Sequence, residues 1–248
     1  MTASKETFTY TFSEAVENHV GMKPVGQRAS RGFTFGELQA AQEAAGGKGC
    51  ATELIDLQAK LPVELRTKDN GAWILICRRL APALVDEKLL RKEVDDTKAI
   101  VDKQAWMKGR VVEKHARWNL CFAETAQEPA YAEKKGRVVP FAEVPVLARF
   151  RDRLPEIFGS PAHKLLANLN HYYDVKNTGI SYHGSPPSRL VCTPLIHPVH
   201  WQRRRTPNRD WIAHWRNDGL AVSLVSQVRT HWHSHHSHLV RWGRLCNV

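Results

Sequence analysis

The sequence lacks the features that identify membrane-spanning or disulfide-stabilised proteins. Its longest apolar run is six residues, 72–77, whereas a helix needs about 20 to cross a bilayer. The first residues contain no apolar signal-peptide core. The five cysteines are widely spaced and never form CxxC, which argues against a disulfide framework or a zinc ribbon and favours buried free thiols. We therefore expect an intracellular protein, cytoplasmic or nuclear, that binds no membrane.

Most motifs that identify an enzyme class are also missing. The chain has no Rossmann fingerprint and no Ser/His/Asp set, and the glycines of residues 46–49 lack the strand and the Lys-Ser/Thr pair that a phosphate-binding loop requires. Glu124 and Glu128 lie four residues apart, but Glu128 precedes Pro129 and is predicted to lie in a loop. This pair of carboxylates therefore does not indicate acid–base catalysis.

Lysine and acidic residues almost disappear from the last quarter of the chain. The whole sequence has a net charge of +11. Residues 1–183 contain 27 basic and 23 acidic residues, a balance of +4, whereas residues 184–248 contain nine arginines, no lysine and two acids, a balance of +7. Only the first part has the composition of an average globular domain, and the charge of the last part suggests a polyanionic partner.

The residues before position 184 predict a mixture of helices and strands. Alternation over residues 7–12 predicts a short edge strand, after which Ser13 could cap a short helix. Thr34 and Glu37 form a capping box that opens a helix, which the glycines at 46–47 end. Further patterns predict an apolar helical stripe at 54–61, a buried strand at 72–77, a charged helix at 86–102, helices at 145–158 and 161–167, and a strand and loop at 168–183.

Residues 185–248 keep none of these patterns for long. Two consecutive prolines at 186–187 exclude a central strand. An arginine run at 203–205, five of the eight tryptophans and a histidine-rich run at 231–238 follow. The arginines could contact phosphates and the tryptophans could stack bases, although a solvated tail would explain the same composition. The histidine run would bind transition metals without forming a specific site. We expect this segment to be irregular.

A metal-binding motif is interrupted where the composition changes. His183-Gly184-Ser185 has the spacing of an HxD motif, with serine in place of aspartate. Residues two apart in a strand face the same side, and two such ligands with a distant histidine leave positions open on Fe(II) for a cosubstrate and dioxygen. A neutral serine hydroxyl cannot replace the charge of the carboxylate. His197 and His200 could reach a metal, but neither lies in a recognisable motif.

Four segments of the chain resemble AlkB-like 2-oxoglutarate- and Fe(II)-dependent dioxygenases, especially those of algae, protists and large DNA viruses. They are residues 114–122 (KHARWNLCF), 127–129 (QEP), 170–174 (NHYYD) and 179–184 (GISYHG), and the resemblance extends upstream through residues 17–22 (ENHVGM). The resemblance stops at Gly184. It implies that Asn170 and Tyr172 bind 2-oxoglutarate and that His183 is the first iron ligand. Without it, all three would be interpreted as ordinary core or surface residues of a strand.

The resemblance also implies a fold and a reaction. The fold is α+β, with N-terminal helices packed on a double-stranded β-helix (jelly roll) that residues 1–184 encode only in part, followed by the atypical segment 185–248. An intact relative would couple the decarboxylation of 2-oxoglutarate at Fe(II) to oxidative hydroxylation or demethylation of a nucleic-acid base or a protein side chain. Because Ser185 replaces the aspartate, we expect this chain to be weakly active or inactive.

Two explanations fit the change at residue 185. A reading-frame shift, an unspliced intron or a gene-prediction error near this codon would replace the family's ending, whereas true divergence would make the chain a degenerate member. We favour the first, because the local agreement of pattern, capping and turns is lost there. The alternative function is a non-catalytic nucleic-acid-binding protein that uses the basic segment 185–248. A third interpretation is a fragment with no function of its own.

Overall fold

The computed structural model describes residues 6–19, 21–27, 32–60, 63, 73–115 and 117–174, together with the backbone of three strands between residues 199 and 226. Strands and helices are interspersed along the chain, which confirms the α+β class. The strands are β1 (Thr7–Ser13), β2 (Ala15–Val16), β3 (Val25–Gly26), β4 (Ala51–Asp56), β5 (Trp73–Arg78), β6 (Gln104–Met107), β7 (Arg110–Glu113), β8 (Trp118–Ala123), β9 (Val138–Pro140), β10 (Leu166–Tyr172), β11 (Val199–Arg203), β12 (Trp211–Trp215) and β13 (Ala221–Ser226).

The helices lie mainly between β3 and β10. They are α1 (Phe35–Gly47), α2 (Leu80–Leu84), α3 (Glu87–Thr97), α4 (Pro145–Arg153) and α5 (Pro155–Phe158), and short 3-10 helices occur at Gln58–Lys60, Lys98–Ile100, Tyr131–Glu133, Phe141–Glu143 and Ser160–Ala162. Over the residues that the structure describes, no helix is both long enough and apolar enough to cross a bilayer.

A four-stranded sheet with the order β1-β10-β8-β9 is the centre of the described structure. The central strand β10 runs antiparallel to both β1 and β8, and β9 pairs with β8 in parallel. A second sheet has the order β13-β5-β4, and β2–β3, β6–β7 and β11–β12 form two-stranded sheets. Among the described strands, β1 therefore lies at an edge of this sheet, as its sequence predicts.

One face of the four-stranded sheet is apolar and forms the main core with the helices. Alternate residues of β1, Phe8, Tyr10 and Phe12, lie on this face with Leu120 and Phe122 of β8. The same core includes buried side chains from all five helices. The aromatic rings of Phe12 and Phe150 lie 5.6 Å apart between centroids, joining β1 to α4. This face anchors the sheet and leaves the opposite face for other interactions.

Glutamate carboxylates bind free backbone N–H groups at the N-termini of two helices, α1 and α4. In α1 the glutamate belongs to the helix itself, and in α4 it belongs to another helix. In α1, the Thr34 hydroxyl accepts from the Glu37 backbone N–H at 3.2 Å, and the Glu37 carboxylate accepts from the Thr34 N–H at 2.7 Å, which confirms the predicted capping box. Helix α4 begins after Val144, which provides no side-chain cap. Its free N–H groups are instead bound by Glu93 of α3, which accepts from residues 146 and 147 at 2.9 and 2.7 Å.

Several local predictions are wrong because strand pairing overrides them. The helix expected after Ser13 is replaced by β2, whose Val16 pairs with Val25. The apolar stripe at 54–61 lies in β4 and a 3-10 helix, because its first residues pair with β5. The helix expected at 161–167 is a 3-10 turn followed by the start of β10.

The segment 185–248 is not wholly irregular. Strands β11 and β12 pair with each other, and β13 pairs with β5 in antiparallel register. The expectation of an irregular segment is therefore wrong for these strands. Their residues are rich in Val, Trp, Ile and Leu, which favour extended structure. The rest of this segment, including the arginine and histidine runs, lies outside the described residues, apart from Arg203 in β11.

The thiols that the structure describes are free and buried, as predicted. They belong to Cys50, Cys77 and Cys121. Burial raises the pKa of Cys77 to about 12 and also raises the pKa of Cys50. The thiols of Cys50 and Cys77 are therefore held in their neutral form and are packing residues of the core rather than nucleophiles.

A buried polar network at the centre of the sheet

The second face of the four-stranded sheet is polar. The register places Thr9 of β1, Asn170 of β10 and Asn119 of β8 in one row across three strands. Thr9 and Asn119 are buried, with 5% and 1% of their surface exposed, and Asn170 is half-buried. Period-two alternation thus puts the sequence-predicted Asn170 on the face opposite the main core.

The amide of Asn170 is held by two donors. Its Oδ1 accepts from Arg117 Nε at 2.6 Å and from Asn119 Nδ2 at 2.7 Å. A side-chain amide has one acceptor oxygen and one donor nitrogen, so the oxygen of Asn170 is occupied and its nitrogen is directed elsewhere. Nδ2 has no hydrogen-bond partner among the described residues. Asn170 can therefore donate to a bound group.

Tyr172 lies two residues further along β10 on the same face. It pairs with Thr7, and its side chain is hydrogen-bonded to Thr9. Burial raises the pKa of its hydroxyl, while the nearby Arg117 guanidinium and the contact with Thr9 oppose this rise. Tyr172 therefore remains a neutral hydroxyl at physiological pH. The structure brings the two sequence-predicted cosubstrate residues together beside a cation.

A buried lysine stands behind Asn119. Only 7% of Lys114 is exposed, and its Nζ donates to Asn119 Oδ1 and to the Asn18 carbonyl, each at 3.2 Å. Burial lowers the pKa of Lys114 to about 8, although the negative charge of Asp102 partly opposes this shift. The ammonium form is thus retained at neutral pH in an almost dry environment.

Asp102 ends the network on the side away from Asn170. Only 1% of it is exposed, and its carboxylate accepts from Asn18 Nδ2, from the backbone N–H of Arg137 at 2.7 Å and from the Tyr131 hydroxyl at 2.7 Å. The Cys121 thiol donates to Asn18 Oδ1 at 2.7 Å, and its burial raises its pKa. Asn18, Lys114 and Asn119 therefore link Asp102 to Asn170, and at Asn18 the link passes from the side chain to the backbone carbonyl.

A glycine keeps this network compact. A Cβ atom added to Gly136 would lie 2.3 Å from the side chain of Asn18. Any larger residue at this position would displace the amide that binds Asp102. Gly136 is therefore required by the close approach of the chain.

His171 lies between Asn170 and Tyr172 in sequence but on the apolar face of the sheet. Its ring stacks on Phe8 with centroids 4.2 Å apart, and its Nε2 lies 2.9 Å from the carboxylate of Glu6. Burial lowers the pKa of His171, and the Glu6 carboxylate opposes this effect. His171 is a packed, neutral residue of the core and does not reach the polar network.

The iron-binding part of the prediction lies outside the described residues. This applies to His183, Ser185, His197 and, at the level of side chains, His200. Within the described ranges, no group of three or more His, Cys, Asp or Glu side chains could hold a metal ion. Glu124 and Glu128 bind Arg151 and Arg137, at 2.6 and 3.0 Å, so they are ion-pair partners rather than an acid–base pair.

The sequence patterns predict no role for most residues of this network. Arg117, Lys114 and Asn119 lie in the segment that carries the family resemblance, and the alternation of β8 could have placed Arg117 and Asn119 on one face. Asn18 lies in the upstream segment 17–22 that shares the resemblance, but it is 84 residues from Asp102, which stands in no motif. Only the folded chain brings them together.

Comparison with known proteins identifies a viral relative. The chain is 37% identical over 191 residues to "Uncharacterized protein R156" of Acanthamoeba polyphaga mimivirus, and the match covers 77% of this chain and 74% of the viral protein. No protein-family model matches the chain. No solved structure matches it either.

Proposed function

The chain belongs to the same family as this mimivirus protein, and we propose that it is an AlkB-like 2-oxoglutarate- and Fe(II)-dependent dioxygenase whose activity is impaired by Ser185. The observation that carries the proposal is the arrangement around Asn170. Asn170 and Tyr172 share the polar face of the central sheet, and Arg117 binds the amide oxygen of Asn170. The proposed role of these residues is to hold 2-oxoglutarate.

The polar face also supports the finer fold proposal, a double-stranded β-helix. Such a jelly roll consists of two packed sheets, with its ligands between their inner faces. In the four-stranded sheet, Thr7, Thr9 and Asn119 on the polar face are nearly as buried as the apolar residues on the other face. A sheet with helices against its apolar face and a buried polar face is the arrangement expected of one half of this fold.

The donors on this face suit a dicarboxylate. The Asn170 amide nitrogen, the Tyr172 hydroxyl and the Arg117 guanidinium are donors close to one another, and the guanidinium supplies a positive charge. Carboxylate oxygens accept hydrogen bonds and pair well with guanidinium groups. These residues would bind and orient 2-oxoglutarate, while the buried network behind them excludes water from the amide of Asn119.

Iron would be held through His183, and Fe(II) would supply the activation of dioxygen. In this chain Ser185 stands where the resemblance places the carboxylate ligand. A neutral hydroxyl provides neither the charge nor the basicity of that ligand, so weak iron binding is the proposed cause of the impairment. By family analogy alone, the substrate would be a methylated base or a protein side chain.

The first experiment measures 2-oxoglutarate binding by calorimetry, without metal. Asn170→Ala is expected to weaken binding by about tenfold or more, the equivalent of about 1.4 kcal/mol. Asn168→Ala is the matched control. Asn168 lies on the same strand and face, but its Nδ2 donates to the Glu17 carbonyl at 2.6 Å and not to the proposed site. Equal weakening by both variants, or no binding by the wild-type protein, would refute the cosubstrate site.

The second experiment concerns the impaired activity. Metal-dependent turnover of 2-oxoglutarate should be low in the wild-type protein and should rise in Ser185→Asp, because the substitution restores a charged ligand. His183→Ala added to Ser185→Asp should abolish that gain. Robust wild-type turnover that is lost in His183→Ala would show that Ser185 does not impair the enzyme.

The origin of the segment after Gly184 has its own test. Translation of the other two reading frames beyond this codon should reveal a carboxylate at position 185, followed by a strand-rich stretch with a distal histidine. If neither frame contains them, the divergence is real and the chain is a degenerate member of its family. The nucleic-acid-binding alternative predicts salt-sensitive binding that is lost when residues 186–248 are deleted.

A further inference from the structure

We propose that Lys114 is a positioning residue that acts through Asn119 to fix the side-chain amide of Asn170, so that Asn170 presents its N–H and not its carbonyl to a bound ligand. The identity of the ligand as 2-oxoglutarate rests on the proposed function. The hydrogen-bond relay Lys114–Asn119–Asn170 does not.

The first step of the relay is set by the chemistry of the lysine. An ammonium group donates hydrogen bonds and accepts none. The atom of Asn119 that lies 3.2 Å from Lys114 Nζ must therefore be the amide oxygen. Because its oxygen is bound to Lys114, the Asn119 amide directs its Nδ2 toward Asn170. Because Asn119 is 1% exposed, no bulk water is present to stabilise the opposite orientation.

The second step places the oxygen of Asn170. Asn119 Nδ2 donates to Asn170 Oδ1 at 2.7 Å, and Arg117 Nε donates to the same oxygen at 2.6 Å. The guanidinium, like the ammonium, only donates. Two independent groups thus require the same orientation of Asn170, although the oxygen and nitrogen of an amide have nearly the same shape.

The lysine is itself held in place from behind. The carbonyl of Asn18 accepts from Nζ at 3.2 Å, and the Asn18 side chain is fixed by Asp102 and the Cys121 thiol. The Asp102 carboxylate also favours the charged form of Lys114 electrostatically. Burying an ammonium is unfavourable without such partners. The network therefore keeps a donor-only group next to Asn119.

The relay restricts what can bind at Asn170. A group that contacts the Asn170 side-chain nitrogen must be a hydrogen-bond acceptor, such as a carboxylate, a carbonyl or a phosphate oxygen. An ammonium or an amide N–H at this point would be rejected, because it would face another donor. Lys114 thereby influences ligand choice without touching the ligand.

The test uses Lys114→Met, which keeps the length of the side chain and removes the donor. Exposed Lys88 on α3 provides the matched control, Lys88→Met. The side-chain amide signals of Asn119 and Asn170 are followed by NMR in ¹⁵N-labelled ligand-free protein and assigned with Asn119→Asp and Asn170→Asp. We expect both signals to shift and the Asn119 protons to exchange faster in Lys114→Met only. Unchanged Asn170 signals would overturn the relay.

Ligand binding gives the second measurement. Affinity for 2-oxoglutarate should fall about tenfold in Lys114→Met and remain at the wild-type value in Lys88→Met. If the wild-type protein binds no 2-oxoglutarate, the proposed function fails, whereas the amide signals still decide the relay. Unchanged affinity together with unchanged Asn170 signals would refute it.

Asn119→Asp covers the case in which Lys114→Met does not fold. The new carboxylate keeps a favourable contact with Lys114 but offers only acceptors to Asn170 Oδ1. The Asn170 amide signal should then shift and the affinity for 2-oxoglutarate should fall, with the circular dichroism spectrum retained. A folded Asn119→Asp variant with wild-type Asn170 signals would contradict the proposal.

Discussion

The two faces of the four-stranded sheet are built from the same strands but bury opposite kinds of side chain, apolar on one face and polar on the other. On one face, Phe12, Leu120 and Phe122 are fully buried among apolar side chains from the helices. On the other face, Asn119 is just as deeply buried, yet its side chain is surrounded by polar groups that bind one another. Residues adjacent in sequence thus enter environments that differ in almost every physical property.

The difference separates the residues that stabilise the fold from those that shape the site. Apolar burial contributes roughly 25 cal/mol for each Å² removed from water. Buried polar groups contribute little net stability and are costly when they lose a partner. Retaining Lys114, Asn119 and Asp102 in the interior is therefore hard to explain by stability alone. It is explained if their role is to orient groups such as Asn170.

The largest effect is expected when the apolar face is broken. Phe122→Ala should lower the free energy of unfolding by about 3–5 kcal/mol, because it removes a fully buried ring and leaves a cavity. Cys121→Ala is the control: Cys121 is its neighbour in β8, also fully buried, but faces the polar network. Its loss should cost about 1 kcal/mol. Denaturant unfolding measures both, and equal losses would contradict the division between the faces.

The polar face should respond to pH through Lys114. Its pKa is about 8 in the folded protein and about 10.4 in an unfolded chain. Below pH 8 the buried ammonium lowers the free energy of unfolding by its full amount. Above pH 8 Lys114 is neutral in the folded protein, and the loss of stability shrinks until the unfolded chain also loses its proton near pH 10.4. The unfolding free energy of the wild-type protein minus that of Lys114→Met should therefore rise by about 3 kcal/mol between pH 7 and 10.5.

The subtraction is necessary because other groups titrate in the same pH range. Burial raises the pKa values of Cys50 and Cys77. These thiols contribute equally to the pH dependence of wild type and variant, so their contribution cancels in the difference. The difference in unfolding free energy between wild type and Lys88→Met, measured at the same two pH values, gives the baseline for an exposed lysine. A wild-type-minus-Lys114→Met difference that stays constant from pH 7 to 10.5 would mean that Lys114 is not buried as an ammonium.

Local sequence predicts the part of the fold that depends on neighbours in the chain. Short patterns predict the edge strand β1, the capping box of Thr34 and Glu37 and the buried strand β5, and the structure confirms all three among the residues that it describes. The helix expected at 54–61 is wrong, because pairing of β4 with β5 outweighs its helical spacing. Segments whose partners lie far away in sequence are those in which local patterns fail.

The residues of the candidate site also fall into two groups, those that the sequence predicts and those that it does not. Resemblance to a family motif predicts that Asn170 and Tyr172 bind a cosubstrate, and the register of β10 places both on the polar face. Their roles remain predictions. The groups behind them, such as Asp102 and Lys114, could not be predicted, because single polar residues in a sequence do not reveal whether they will be buried or what they will bind.

A smaller effect is expected from the helical layer that covers the apolar face. Glu93→Ala should lower the unfolding free energy by about 1–2 kcal/mol, because two N–H groups at the start of α4 lose their acceptor. Asp96→Ala on the same helix is the control, since Asp96 is exposed, and it should change stability by less than about 0.5 kcal/mol. If both variants behave alike in denaturant unfolding, Glu93 does not cap α4.

The smallest effect is expected from Thr9→Val, which sharpens the comparison by making one position of the polar face apolar. Thr9 is buried and its side chain is hydrogen-bonded to Tyr172, a contact that lowers the pKa of the tyrosine hydroxyl. Valine keeps the shape and the preference for a strand, so stability should fall by only about 1 kcal/mol. The pKa of Tyr172 should rise further, as read from ultraviolet titration with Tyr172→Phe as the reference.

Thr11→Val, on the same face but half-buried opposite Asn168, should leave the Tyr172 titration unchanged. If Thr9→Val leaves that pKa where it is, the polar face does not control the groups that would meet a ligand, and the two faces differ only in composition.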